Sequence, residues 1–260
     1  MLILTITLCV VATALGVYAW GQHARTQELA RRLAHASREL ESLQQAFGRF
    51  APSEVVEGII AQGISTRSDT KEITILFADL KGFTPLAETL DPERLVAILN
   101  GYFAAMGEAI AAHRGHLAKF IGDGLLALFG ALEPNPWQTN DAVHAALAMR
   151  TALATYNAKL AADGLPTLAA GIGIHRGPVI AGLLGNAALM EYGVIGRTVN
   201  VASRVEGLAR VHDTDILVTD AVRAHLDARF RLVPQGATEV KGLPEPVATF
   251  AVTDFDDTHA

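Results

Sequence analysis

The hydrophobic and polar positions of this chain change period several times, and each change predicts an element. Leu2 to Trp20 carries no charge. As a helix it would reach about 28 Å at roughly 1.5 Å per residue, close to the hydrocarbon thickness of a bilayer, so residues 2–20 predict one membrane-spanning helix. Tyr18 and Trp20 suit an interfacial aromatic belt, and Arg25, Arg31, Arg32 and Arg38 follow, which places the remainder in the cytoplasm of a single-pass protein of the cell membrane. A cleavable signal peptide is the rival reading, but no basic leader precedes the apolar run and no small-x-small cleavage site closes it. From Gln22 to Phe50 the apolar residues Leu29, Leu33, Ala36, Leu40, Leu43, Phe47 and Phe50 recur at alternating steps of four and three. That seam predicts a short parallel coiled coil between two copies, with a single amphipathic helix lying on its own domain or on lipid as the alternative.

Beyond Pro52 a short helix over Glu54 to Ala61 and a polar linker over Gly63 to Thr70 lead into a run of alternating elements. Ile73-Thr74-Ile75-Leu76-Phe77-Ala78-Asp79-Leu80 is β-branched and aromatic enough for a buried strand. Asp91-Pro92-Glu93 has the form of an N-cap, a first-turn proline and an acidic first turn, and opens a helix to about His113 whose stripe of Leu95, Ile98, Leu99, Tyr102, Phe103 and Met106 is core. Lys119 to Phe129 reads as two strands around the tight Gly122-Asp123-Gly124 turn. Glu133 to Trp137 is a loop, and Asn140 to Ala162 an alanine-rich helix ended by Asp163-Gly164. Leu168 to Ile174 and Pro178 to Leu184 are strands around His175-Arg176-Gly177; Glu191 to Ile195 is a strand and Thr198 to Ala209 a helix. Ile216 to Val218, Phe230 to Val233, Glu239-Val240 and Val247 to Val252 are further strands. Interleaved strands and helices make the fold class α+β.

With 260 residues, half of them hydrophobic, a full core is available. A net charge of -6 without a clustered Lys and Arg face argues against a nucleic-acid partner. The single cysteine, Cys9, excludes a disulfide framework and a thiolate zinc site, and the nine histidines include no HExxH pattern. The spacing Gly171-x-Gly173-x-x-x-Gly177 is not the dinucleotide fingerprint, and no GxxxxGK loop occurs, which disfavours two common nucleotide folds.

The chemistry concentrates on two aspartates. Asp79 sits at a strand end and Asp123 at a hairpin tip, and two carboxylates on rigid strand ends can converge on a hard cation that prefers oxygen ligands. On spacing alone they read equally as a turn residue and a strand cap. Past Asp79, Gly82-Phe83-Thr84-Pro85 turns into a helix, where backbone N–H groups can face phosphate oxygens.

Four motifs in order add a resemblance: Phe77-Ala78-Asp79-Leu80-Lys81-Gly82-Phe83-Thr84, Lys119-Phe120-Ile121-Gly122-Asp123-Gly124, Val199-Asn200-Val201-Ala202-Ser203-Arg204 and Val240-Lys241-Gly242. Together they resemble the ordered signatures of the class III nucleotide cyclases, over about Glu72 to Val252. The resemblance implies a ferredoxin-like βαββαβ core, homodimers with two active sites shared across a two-fold interface, and conversion of ATP to cyclic AMP and pyrophosphate. It implies two Mg²⁺ or Mn²⁺ ions per site, held by Asp79, Asp123 and the carbonyl of Leu80. From the partner chain it implies Asn200 orienting the ribose, Arg204 stabilising charge on the α-phosphate, and Lys241 binding the terminal phosphates. Asn200 and Arg204, four apart on a helix, share one face.

Lys119 stands where the adenylate cyclases of the family carry lysine, a donor for adenine N1, and the guanylate cyclases glutamate. The usual acceptor for the adenine amino group, Asp or Thr, is replaced here by Gly193, and Arg197 replaces a common Asp. These departures keep two alternatives in view: a guanylate or mixed-specificity cyclase, and a nucleotide-binding module with impaired catalysis. The implied organisation is a transmembrane helix (1–21), a coiled coil (22–50), a linker with a short helix (51–71), the catalytic domain (72–254) and a tail (255–260).

Overall fold

The structure is a computed structural model describing residues 20–23, 25–39, 69–186, 189–239 and 245–256. The membrane-spanning segment over 2–20, apart from Trp20, the C-terminal part of the heptad seam, most of the linker, Lys241 and most of the tail lie outside those residues. Residues 25–39 are helical and carry Leu29 and Leu33 exposed, one turn apart. Among the described residues the helix long and apolar enough to cross a membrane is Pro92–Ala112. It buries Ile98, Tyr102, Met106, Ala109 and Ile110, as a core helix does.

The domain from Asp69 onward is a mixed sheet with helices on both faces. Strand β1 (Asp69–Leu80) is followed by helices α1 (Phe83–Thr89) and α2 (Pro92–Ala112), strands β2 (His116–Ile121) and β3 (Gly124–Phe129), and helix α3 (Gln138–Ala162). Strands β4 (Ala170–Asn186) and β5 (Leu189–Ile195), helix α4 (Arg197–Val211), strand β6 (Ile216–Thr219), helix α5 (Asp220–Arg223), and strands β7 (Phe230–Thr238) and β8 (Val247–Phe255) complete it. The sheet order is β2-β3-β1-β4-β6-β8-β7, with β5 paired to β4. Its 2-3-1-4 half, with α2 and α3 on one face, is the ferredoxin-like βαββαβ core that the resemblance implies.

The period-two pattern of β1 explains the layers. Leu76, Ala78 and Leu80 join the core beneath α2 and α3, with Leu125, Ala127 and Phe129 of β3. Ile73 and Ile75 point to the opposite face, with Leu126 and Leu128. The cap forms as the sequence predicts: Asp91 accepts from the backbone N–H groups of Glu93 (3.2 Å) and Arg94 (3.4 Å), and Pro92 opens α2.

One expectation fails. His175-Arg176-Gly177 does not divide two strands; β4 runs unbroken and pairs with β1 from Asp69↔Ala181 to Leu80↔Ala170. The polar groups that resemble a turn signal are satisfied in the sheet: His175 Nδ1 lies 2.8 Å from Thr219 Oγ1, and Arg176 donates to Thr139 Oγ1 at 2.8 Å. Two boundaries also move: β1 begins at Asp69, within the segment read as linker, and β7 ends at Thr238, leaving Glu239 outside any strand.

The glycines of β4 have a packing role. A Cβ at Gly173 would stand 2.1 Å from the backbone nitrogen of Glu206, and one at Gly177 2.9 Å from Thr198 Oγ1. Gly173 therefore lets the α4 backbone lie directly on the sheet, and Thr198 donates to the carbonyl of Pro178 at 2.6 Å at the start of that helix. Val201, Val205 and Ala209 seal the contact against Leu217 and Ala251.

Candidate active site

Asp79 is the penultimate residue of β1, and its odd position puts it on the α4 face, opposite Gly171 of β4. Asp123 sits in the turn between β2 and β3, which Gly122 closes at φ 64°. Gly124 lets the two strand ends meet, because a Cβ there would fall 2.8 Å from Asp79 Oδ1 and 2.9 Å from the carbonyl of Ala78. Burial raises the pKa of Asp79, and the neighbouring Asp123 carboxylate raises it further; Arg210 and the Leu80 N–H, which donates to Asp79, pull the other way.

A third carboxylate, not singled out by sequence reasoning, faces this pair. Glu206 of α4 has its Oε1 3.1 Å from where a Gly171 Cβ would be. Burial, then Asp79 and Asp123, push its pKa up to about 7 against the pull of Arg210 and Lys81. The field reaches the far side of the sheet, where Tyr102 is held protonated by burial first and by Asp79, Asp123 and Glu206 after it. Lys81 is anchored by a 2.7 Å bond to the carbonyl of Thr214.

Carboxylates whose mutual repulsion helps raise the pKa of Asp79 and Glu206 suit a divalent cation, whose charge removes that repulsion. No group of three or more His, Cys, Asp or Glu residues among the described ones is arranged to hold a metal. The donors that would be available are the Asp79 and Asp123 carboxylates, with the Leu80 carbonyl that the resemblance implies. That fits Mg²⁺ or Mn²⁺, since Mg²⁺ usually takes one or two carboxylates and leaves its other positions to water and phosphate.

Asn200 and Arg204 lie on α4, exposed and half-buried respectively. Arg204 and Glu206 are two residues apart, about 200° around the helix. With Glu206 turned toward Asp79, Arg204 lies on the opposite side of α4, and Asn200 about 120° around the helix from Glu206. Gly82 adopts a left-handed conformation (φ 68°) at the N-cap of α1, Phe83 packs on the core and Thr84 is exposed.

Lys119 reaches the α4 face through a register shift. Leu117 pairs with Ala127, but Lys119 pairs with Leu126, a bulge of one residue that turns Lys119 to the side of the sheet that regular alternation would deny it. There its Nζ lies 2.6 Å from Glu191 Oε1. Glu191 belongs to β5, which folds over this face: Tyr192 and Val194 pack on Ile73, Ile75, Leu126 and Leu128, and Tyr192 donates to the carbonyl of Ala131 at 2.8 Å. Gly193 is buried, and Leu184 occupies its side-chain space, 3.0 Å from where a Cβ would be. Arg197, at the first turn of α4, is close enough to join burial, the larger cause, in lowering the His175 pKa to about 4.

Comparison with known proteins bears on this arrangement. The sequence profile described as the adenylate and guanylate cyclase catalytic domain matches residues 66–254. An adenylate cyclase of Anabaena cylindrica is 35% identical over 237 residues, 86% of this chain and 46% of that protein. Adenylate cyclase 1 of Rhizobium meliloti is 34% identical over 198 residues, 75% of this chain and 30% of that protein. The chain thus spans less than half the length of these two curated relatives. Among solved structures, the guanylyl cyclase Cya2 aligns with a TM-score of 0.69 at 33% identity, over 74% of this chain and 96% of its own. The adenylyl cyclase CyaB from P. aeruginosa aligns with a TM-score of 0.70 at 29% identity, over 74% of this chain and 98% of its own.

Proposed function

The chain belongs to the adenylate and guanylate cyclase catalytic domain family, and from that premise we propose that it is a membrane-anchored homodimeric adenylate cyclase, converting ATP to 3′,5′-cyclic AMP and pyrophosphate. One observation carries the reading: Asp123 lies beside Asp79, close enough to raise its pKa, while Arg204 stands on the side of α4 opposite the Glu206 that faces them. A site that needs both pairs is then completed by a second copy, each chain lending its aspartates to one site and its α4 face to the other.

Asp79, Asp123 and the Leu80 carbonyl would hold the metal pair. When bound, two Mg²⁺ or Mn²⁺ ions supply Lewis-acid activation of the ribose 3′-hydroxyl and neutralise triphosphate charge. Backbone N–H groups of Gly82, Phe83 and Thr84, at the opening of α1, face the phosphates. Across the interface Asn200 orients the ribose for in-line attack on the α-phosphorus, Arg204 stabilises the charge that develops there, and Lys241 binds the terminal phosphates. Lys119 reads the adenine N1 acceptor. Residues 2–20 anchor the chain in the bilayer, and the seam from Leu29 to Phe50 raises the concentration of one domain beside the other.

Mixing two inactive variants tests the shared site. Asp79→Asn and Arg204→Ala, each inactive alone, should regain about a quarter of wild-type turnover when co-assembled, because half the dimers are mixed and each holds one intact site. No recovery from demonstrably mixed dimers would sink the shared-site reading. A second reading, a guanylate or mixed-specificity cyclase, is favoured by Gly193, which offers no acceptor to the adenine amino group. Comparable formation of cyclic GMP and cyclic AMP would establish it.

A further inference from the structure

We propose that Glu191 is the adenine-specificity residue of this chain, the acceptor for the 6-amino group that Gly193 cannot supply. The inference deepens the cyclase reading and rests on it. Lys119 and Glu191 are 72 residues apart in sequence, yet their side chains meet at 2.6 Å. Two independent features bring them together: the bulge in β2 that turns Lys119, and the fold of β5 over the sheet.

Stability does not explain the pair. Its side chains are 36% and 59% exposed, and pairs of that kind contribute little to folding. What the pair offers is a donor beside an acceptor at the place assigned to the purine. A lysine ammonium has three hydrogens and a carboxylate about four lone-pair positions, so each can keep its partner and still bond a ligand. Adenine presents the complementary order along one edge: an N1 acceptor next to a 6-amino donor. Guanine presents the reverse, an O6 acceptor next to an N1–H donor, and would set Lys119 against a hydrogen and Glu191 against a lone pair.

The neighbourhood of Gly193 directs the same assignment. Glu191 and Gly193 are two apart on β5 and therefore share a side of the strand. Gly182 lies opposite Gly193 and Leu184 opposite Glu191, so Leu184 leans diagonally into the side-chain space of Gly193. An apolar group fills the position two residues before Ile195-Gly196, and the carboxylate has moved one step back along the same side. Glutamate has one methylene more than aspartate, which suits the longer reach.

The test uses the full chain with ATP, GTP and purine riboside 5′-triphosphate, which lacks only the 6-amino group of ATP. Wild type should favour ATP over the des-amino nucleotide in kcat/KM by about ten- to a hundredfold, the range of a hydrogen bond to a charged group. Glu191→Ala should lose that preference through ATP alone, leaving the des-amino rate within about threefold of wild type, and Glu191→Gln should keep part of it because the amide oxygen still accepts. A uniform fall for all three nucleotides, or an unchanged ATP to des-amino ratio, overturns the assignment. The same ratio is read by displacement of a fluorescent ATP analogue. Absence of cyclic product from wild type then refutes the cyclase reading, while the ratio still decides Glu191.

Discussion

Replacing Gly173 with alanine should break the contact on which the site is built. The added Cβ would lie 2.1 Å from the nitrogen of Glu206, 2.5 Å from its Cα and 2.7 Å from the carbonyl carbon of Val205. All three are backbone atoms of α4, so no side chain can rotate away. To restore ordinary contact at 3.4 Å the helix must withdraw by about 1.3 Å. A gap of that size forfeits a quarter to a half or more of the attraction between the surfaces it separates, here Val201, Val205 and Ala209 against Leu217 and Ala251. Overpacking costs about 1–3 kcal/mol where side chains can yield, and a backbone clash belongs at the upper end or beyond. At about 2–4 °C per kcal/mol for a domain of this size, 3 kcal/mol lowers Tm by roughly 6–12 °C. The same withdrawal carries Asn200 and Arg204 with it, and a displacement of about 1 Å at such groups costs around a hundredfold in rate. Gly207, on the same helix with nothing within 4 Å of its Cβ position, is the control. Gly207→Ala should raise stability by about 0.5–1 kcal/mol. Thermal melts by circular dichroism and cyclic nucleotide formation by chromatography read both variants. A Gly173→Ala protein melting within about 2 °C of wild type with normal turnover would refute the close-packing argument.

Other perturbations separate charge from packing. Asp123→Asn should abolish turnover without lowering Tm: the Asp79 pKa is raised in the fold, so its charge costs stability once pH exceeds its unfolded value, and removing a neighbouring charge relieves that cost. Adding Mg²⁺ or Mn²⁺ should raise the Tm of wild type and leave that of Asp123→Asn unmoved, as measured by differential scanning fluorimetry. His175 is half-buried and its pKa is held near 4 against 6.5 when exposed, so the unfolded chain gains a proton first as pH falls. Stability present above about pH 6.5 should be lost progressively toward pH 4, by up to about 3 kcal/mol, and urea midpoints at pH 7.5 and 5 should differ less in His175→Gln. Arg150 pairs with Asp215 and donates to the carbonyls of Val252 (2.6 Å) and Thr253 (2.9 Å), tying α3 to β8 and to the loop that enters β6; Arg150→Ala should cost about 1–3 kcal/mol in urea unfolding.

Much of the fold is local and therefore readable. The β1 run has the composition of a buried strand, the Gly122-Asp123-Gly124 tip closes a hairpin, and Asp91-Pro92-Glu93 starts a helix, each signal acting within a few residues of itself. Asp79 and Asp123 were legible for the same reason, as polar residues at the ends of apolar runs. His175-Arg176-Gly177 misleads because its residue types are those of a turn while its contacts, Thr219, Thr139 and Thr198, come from other elements.

The sequence by itself determined where most strands and helices form, that one aspartate ends a strand and another tips a hairpin, and which ordered motifs the chain shares with its family. Tertiary structure alone decided that Gly171, Gly173 and Gly177 form a bed for α4, that Glu206 joins the aspartates, and that Lys119 meets Glu191. The physical reason is range. Propensity and period act over one to seven positions, whereas a bulge that turns one lysine, or a helix backbone lying on a glycine, depends on atoms brought together from 30 to 70 residues away.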